Sequence, residues 1–306
     1  MKLKYAILVS LLFVKTSIQA DLDDYSYYGI ETLPHVEEQK GPVNLAGTFE
    51  RTGKASIDRK GDLSGSVVYQ EAVAKINLVF YYNKLFKEGA YAEFAYNSTY
   101  LNWNQNPFFS EKWFNTAQGT LGFFTERIRD WEWLVNGTIN IDTDRINLEF
   151  YTTYNMLLWG RHAYCNNVGL HIGLLAQTGM KIDHVYPVLG ADWNINPSWK
   201  VNLIFPLNIS LLYTVEKNWT VGIAGRLFDS RHRVHKHEPL SRGIWTYRAT
   251  GAELATTYAT GSVIANLHLG YLFGGTLKIA NRHYEHKRRF DFNSSGYIGG
   301  ELSARF

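Results

Sequence analysis

Cysteine is nearly missing from this chain. Its 306 residues hold one, Cys165, which excludes an internal disulfide and any paired-cysteine zinc motif. Long apolar runs are missing too. The run from Ala6 to Val14 is about half of the roughly 20 residues that a membrane-crossing helix needs, and Lys15 ends it. HExxH, GxSxG and a phosphate-cradling P-loop are all absent. An excess of charge is also lacking once the start of the chain is set aside. Lys2, Lys4 and Lys15 precede Ser17, Ile18, Gln19 and Ala20, a pattern read as a signal peptide over residues 1–20 with cleavage after Ala20. Removing these three lysines from the 31 basic residues leaves 28 against 28 acidic ones. A neutral mature chain gives no case for a nucleic-acid partner. No cofactor motif is present, and no cysteine near Ala20 supports a lipid anchor.

What the chain does have is aromatic residues, at 15% of the whole, and alternation. In the last ten residues Ile298, Gly300, Leu302, Ala304 and Phe306 fall on one face, and Tyr297, Gly299, Glu301, Ser303 and Arg305 on the other. The same division recurs at Ala74, Ile76, Leu78, Phe80 and Tyr82 against Lys75 and Asn77. It recurs again at Ile146, Leu148, Phe150, Thr152, Tyr154, Met156 and Leu158 against Asn147, Glu149, Tyr151, Thr153 and Asn155. In lipid every backbone polar group needs an internal partner, so a sheet can span only by closing on itself. The pattern therefore predicts an all-β fold, a closed antiparallel transmembrane β-barrel over 43–306. The soluble alternative is a β-sandwich.

The 286 residues after Ala20 (306 minus 20) predict about 12 strands, within 10 to 14. Connections are expected at 194–198, 216–218, 259–261 and 273–275, where turn residues cluster. Counted back from Phe306, these put 230–244 on the same rim as the carboxyl terminus, where short turns normally lie. Pro206 is expected either to kink one strand or to separate two. Trp131, Trp133, Trp159, Trp193, Trp199, Trp219 and Trp245 fall near expected strand ends, as interfacial girdles would. The acidic segment 21–42 is expected to be a periplasmic extension or a lumen plug.

The expected lumen face carries Lys75, Glu132, Glu149, His171, Lys200, Arg226, Glu253, His268, Glu301 and Arg305, a mixture of signs that fits a water-filled passage or a sealing set of ion pairs. Arg231, His232, Arg233, His235, Lys236 and His237 read as a basic loop, either simply solvated or suited to anionic lipid headgroups or lipopolysaccharide phosphates, with metal binding a weaker reading because the neighbouring cations repel a metal ion. The basic run His283 to Arg289 reads as a solvated strand end, with phosphate groups at an outer rim as the alternative. Trp103, Phe108, Phe109, Trp113 and Phe114 form an aromatic segment that either stacks on sugars or packs against its own barrel. Ser294 and Ser295 with His283 and His286 are the one pairing an esterase would need, in a chain read as no enzyme.

Tyr186, Pro187, Val188, Leu189 and Gly190, followed by Trp193, Asn194, Asn196, Pro197 and Trp199 and by Tyr213, Asn218, Trp219 and Gly222, resemble a family of outer-membrane β-barrels of unknown function. The resemblance implies a fold and a bacterial outer-membrane location, with outer-membrane lipid, lipopolysaccharide and the barrel-assembly machinery as partners. The resemblance brings no catalytic residue; separately, the terminal strand ending on Phe306 is similar to the closing strand of bacterial outer-membrane barrels and reads as an assembly address carried by Leu302, Ala304 and Phe306. The expected role is a passive or weakly selective channel for small solutes, with a closed structural or surface-interaction barrel as the alternative and a lipid-modifying enzyme third.

Overall fold

The computed structural model describes residues 42–60, 63–128, 131–144 and 151–306. The expected leader with Ala20, most of segment 21–42, and Glu149 lie outside the described residues. Sixteen strands run β1 (Val43–Thr52), β2 (Ala55–Lys60), β3 (Leu63–Asn83), β4 (Glu88–Trp103), β5 (Trp113–Ile128), β6 (Trp131–Asp142), β7 (Thr152–Cys165) and β8 (Val168–Gly179), then β9 (Ile182–Asn196), β10 (Trp199–Phe205), β11 (Asn208–Glu216), β12 (Trp219–Arg233), β13 (Ile244–Thr260), β14 (Val263–Ala280), β15 (Arg288–Phe292) and β16 (Ser295–Arg305).

Neighbours in sequence pair antiparallel from β3 through β14, and β1 joins β16 on one side to β3 on the other. The ring so closed holds fourteen strands: β1, β3 to β14, and β16. Above it β2 continues the line of β1, and β15 the line of β16. Closure leaves no free edge at the junction of the two ends, which is the condition for a sheet to stand alone.

The first and last strands of the barrel meet at one rim, the terminal rim, where the Val43 N–H donates to the Phe306 carbonyl (3.3 Å) and the Phe306 N–H to the Val43 carbonyl (2.9 Å). The connections on this terminal rim, after Asn83, Ile128, Cys165, Asn196, Glu216 and Thr260, are two to four residues long. The other rim carries the longer loops 104–112, 234–243 and 281–287. Alternation decides which side chains face out: Leu45, Phe49, Phe94, Leu121, Ile172, Leu174, Leu203, Ile223, Leu254, Leu267, Leu269, Ile298 and Leu302 are all exposed. Their neighbours in sequence point into the barrel.

The expected turn at 273–275 is not a turn. It is a glycine kink within β14, where the register against β13 shifts between Ala249 and Gly251 and Gly274 takes φ +104°. Splitting this strand is what placed 230–244 on the wrong rim; β12 runs on to Arg233, and loop 234–243 lies opposite the rim of Val43 and Phe306. Pro206 does separate two short strands, β10 and β11.

The kink has company. Residues 293–294 between β15 and β16, and 53–54 between β1 and β2, break at the same level, with Gly53 donating to Gly296 (2.7 Å) and Asn293 to the Ser56 carbonyl (2.8 Å) across the break. A crease thus runs across neighbouring strands. Beyond it the wall turns inward. Phe114 of β5 meets Trp245 of β13 at 4.9 Å between ring centroids, and Tyr69 of β3 stacks on Tyr247 of β13 at 4.5 Å. A round fourteen-strand section would be roughly 28 Å across, from the usual strand spacing and tilt. Strands β5 and β13 are six places apart around the ring, so their side chains touch only because the section is pinched shut.

The inward-turned part packs on both sides. One side joins an aromatic-rich core of Val67, Tyr69, Leu101, Trp103 and Phe114 with Phe228, Trp245, Tyr247, Leu277 and Phe292. The other side reaches a second core of Leu134, Leu157, Trp159, Leu175, Tyr186, Val188 and Ile204, against which Leu227 of β12 packs. Room for this arises because β10 and β11 are short: β9 pairs with β10 only from Leu189 onward, and β12 with β11 only as far as Ala224.

Gly274 is the residue that the crease cannot replace, since L side chains rarely hold its φ. Gly274→Val should cost about 1–3 kcal/mol and lower the urea midpoint of the protein in detergent. Gly137→Ala, where a new Cβ meets nothing within 4 Å, should leave that midpoint within experimental error.

Candidate functional site

Below the crease the interior keeps a cavity of about 420 Å³, lined by β1, the β10–β11 hairpin, β12, β13, β14 and β16. Strand parity brings Glu50, Arg226, Glu253, His268 and Glu301 to this one space. An Arg226 Nη2 to Glu50 Oε1 ion pair joins β12 to β1 across it, and Arg226 Nε stands 3.9 Å from Glu253 Oε2. Tyr297 donates its hydroxyl to Glu253 (2.9 Å) and meets Phe228 edge-on at 5.1 Å. His268 Nδ1 lies 2.9 Å from Asn266 Oδ1, which can only accept from it, and Asn266 donates to Thr257 (2.8 Å). His268 Nε2 therefore faces Glu50 at 3.5 Å. Gly299 has no side chain because a Cβ there would run into His268 and Glu50.

On the wall built by β6 to β9 stands a second network. Arg161 grips Asp192 with two bonds, Nε to Oδ1 (2.9 Å) and Nη2 to Oδ2 (3.1 Å), and reaches Glu132 with Nη1 (3.2 Å). Trp159 donates its indole N–H to His171 Nδ1 (3.1 Å), which leaves the ring proton on Nε2, aimed at Asp192 Oδ1 (2.6 Å). Two-point guanidinium–carboxylate geometry is the strong form of this interaction. Gly169 makes room for it, since a Cβ there would collide with both partners.

Of the residues expected on the lumen face, the structure places Arg226, His268 and Glu301, with Glu253, at the cavity, and Glu132 and His171 in the second network. Lys75, Lys200 and Arg305 take interior-facing places on β3, β10 and β16 by register. Glu50, Arg161 and Asp192 were missed. Each stands at an every-second position beside Phe49, His162 or Trp193, so continuing the alternation outward from those residues would have found them.

Other expectations need correction. Arg231, His232 and Arg233 are buried strand residues, and Arg233 donates to the carbonyls of Arg242 (2.8 Å) and Arg282 (3.0 Å); they are no surface loop for phosphates. Trp245 is fully buried and Trp159 is interior, so neither belongs to a rim girdle. Trp199 with Tyr213, and Trp219 with Tyr258, do pair across neighbouring strands at the terminal rim, 4.7 and 4.9 Å apart. Trp103, Phe108, Phe109 and Phe114 pack into the barrel mouth, while Trp113 stays outside against Tyr100 (4.7 Å). Ser294 accepts from Tyr271 (2.8 Å) and His283 from Arg282 (2.8 Å), so the structure gives each a different partner.

Over the mouth, loops 104–112 and 234–243 are latched together. Glu238 accepts from the Ser110 N–H (2.7 Å), the Ser110 hydroxyl (3.0 Å) and the Glu111 N–H (3.1 Å). Glu111 in return accepts from the His235 N–H (3.0 Å), and the Leu240 N–H donates to the Phe108 carbonyl (2.9 Å). Each carboxylate thus caps backbone donors of the other loop.

These features define a closed antiparallel β-barrel of fourteen strands whose interior holds ionised side chains. No family model matches the chain. It is similar to an uncharacterised protein of Chlamydia pneumoniae, 26% identical over 196 residues, which is 63% of this chain and 61% of that protein. A second such protein, of Chlamydia trachomatis serovar D, is 23% identical over 61% of this chain and 60% of its own length. The chain therefore spans about three fifths of the length of the curated relatives it matches. Among solved structures it is similar to a mutant of the TodX monoaromatic hydrocarbon channel, at 9% identity over 87% of this chain and 90% of that one, TM-score 0.48. An outer membrane channel from Pseudomonas putida F1 is also 9% identical, over 94% of this chain and all of that one, TM-score 0.47.

Removing Arg161 leaves the buried Asp192 carboxylate with only an imidazole beside it, so Arg161→Met should cost about 3 kcal/mol in unfolding free energy, and Asp192→Ala less because Arg161 keeps Glu132. Arg161→Met combined with Asp192→Ala should cost less than the sum of the two single changes. Urea titrations of the three variants in detergent check this.

Proposed function

We propose that the protein is a bacterial outer-membrane barrel that admits small solutes through a gated interior and not through a standing pore. Its terminal rim, with Phe306, faces the periplasm, and its loop rim faces outward. The observation that carries the gated reading is the aromatic contact across the interior, Phe114 on Trp245 and Tyr69 on Tyr247. The exposed apolar band between rims of aromatic pairs supports immersion in lipid, because so much apolar surface is costly in water. In this setting the barrel-assembly machinery reads the end of β16 at Leu302, Ala304 and Phe306, and lipid and lipopolysaccharide contact the wall.

Four ring pairs cross the closure: Tyr69 with Tyr247, Tyr69 with Phe228, Phe114 with Trp245, and Trp103 with Phe290. At roughly 1 kcal/mol each they bias the interior toward the closed state by about a thousandfold. The Glu111 and Glu238 latch adds to that bias. A second reading, a closed barrel with a structural role, is favoured by the same apolar seal if nothing opens it. No catalytic chemistry is assigned.

Planar-bilayer recording separates the readings. The wild-type protein should be silent or open briefly and rarely, and Glu111→Ala with Glu238→Ala should raise the open probability at least tenfold at unchanged step size. Large steady steps from the wild type would sink the gated reading. Silence from both proteins would favour the structural one.

A further inference from the structure

We infer that the cavity below the crease is a binding site for a small organic cation with a short apolar body, its ammonium or guanidinium end held among Glu50, Glu253 and Glu301. Its volume of about 420 Å³ lies in the range of ligand pockets, about 300–1,000 Å³.

Charge decides the sign of the ligand. Three carboxylates face one guanidinium, Arg226, and one imidazole, His268. Even with the imidazole protonated, one negative charge is left over. Arg226 is already engaged by Glu50 and lies beside Glu253, and Glu253 takes a neutral phenol bond from Tyr297. Glu301 has no hydrogen-bond or ion-pair partner among the described residues. Surplus negative charge in a walled space of low polarity is stabilised by a cation. An anion would need a free guanidinium or ammonium on the lining, and Arg226 is spent.

Thr48 is an independent sign of a ligand. It is 9% exposed, lines the cavity beside Glu50 and Glu301, and its Oγ1 has no hydrogen-bond partner. A buried hydroxyl left unpaired costs about 1–3 kcal/mol. An ammonium donor within its reach removes that cost. The opposite side of the cavity is apolar, formed by Leu212 and Leu227 and by Pro206 and Leu207 at the tip of the short hairpin. One end of the ligand is therefore charged and the other greasy.

This site rests on the reading of the barrel as a gated solute path, and its test does not use conductance. The full protein in phosphatidylcholine nanodiscs is titrated calorimetrically with n-butylammonium, butanol and butyrate, with empty nanodiscs as blank. Butylammonium should bind in preference to the other two, and more weakly as salt rises from about 50 to 500 mM. Glu301→Gln should weaken it at least tenfold. Thr48→Val gives a second variant that leaves every carboxylate in place, and it should weaken butylammonium several-fold. Equal binding of butyrate or butanol, no binding of butylammonium, or an unchanged affinity in both variants overturns the proposal. Butylammonium binding with no conductance in any variant would keep the site and sink the path; gated conductance without binding would do the reverse.

Discussion

The closed β-ladder is the constraint on which the rest depends. Once fourteen strands share hydrogen bonds around a ring, the interior can be filled only by side chains or by the wall itself. This protein uses both. Below the crease the lining is ionised and leaves a cavity; above it the wall of β12 to β15, still joined to β2 through β15, turns inward on the side of the short hairpin and packs against both cores. The short β10 and β11 make this geometrically possible, because a full-length hairpin there would hold β12 in the wall.

The crease is built from ordinary means: glycine at positive φ, a register shift, and two strand breaks aligned at one level. Bulges and glycines commonly re-aim strands at barrel rims. At the breaks the lost ladder bonds are replaced, as where the Thr52 hydroxyl accepts from the Tyr69 N–H (2.9 Å) and donates to the Tyr69 carbonyl (3.2 Å). Aromatic rings then take over from backbone bonds as the cohesive element. Their burial explains why a chain so rich in Tyr, Phe and Trp does not present all of them on its outer surface.

The faces of the strands were legible in the sequence, because alternation is a local property. Tyr297, Glu301 and Arg305 fall inside and Ile298 and Leu302 outside as their places in β16 require, and Pro206 marks a true chain reversal. Phe273, Gly274 and Gly275 misled because a glycine kink inside a strand and a glycine turn between strands look alike locally; only the partner strand, running unbroken past Ala249 and Gly251, tells them apart. Arg231 and Arg233 misled for a related reason, since their burial comes from loops and walls distant in sequence. The seal itself was illegible. It depends on Phe114 meeting Trp245, 131 positions later by subtraction of the two numbers, and no local pattern carries that information.

The central claim is that the wall folds inward and shuts the interior above the crease, and the most direct measurement is cross-linking across that seal. In a Cys165→Ala background, Tyr69→Cys and Tyr247→Cys should be joined rapidly by a short bifunctional thiol reagent in the folded protein in lipid. An open barrel would leave the two thiols on separated walls, each reacting singly with a soluble maleimide and never joined. That result would contradict the account.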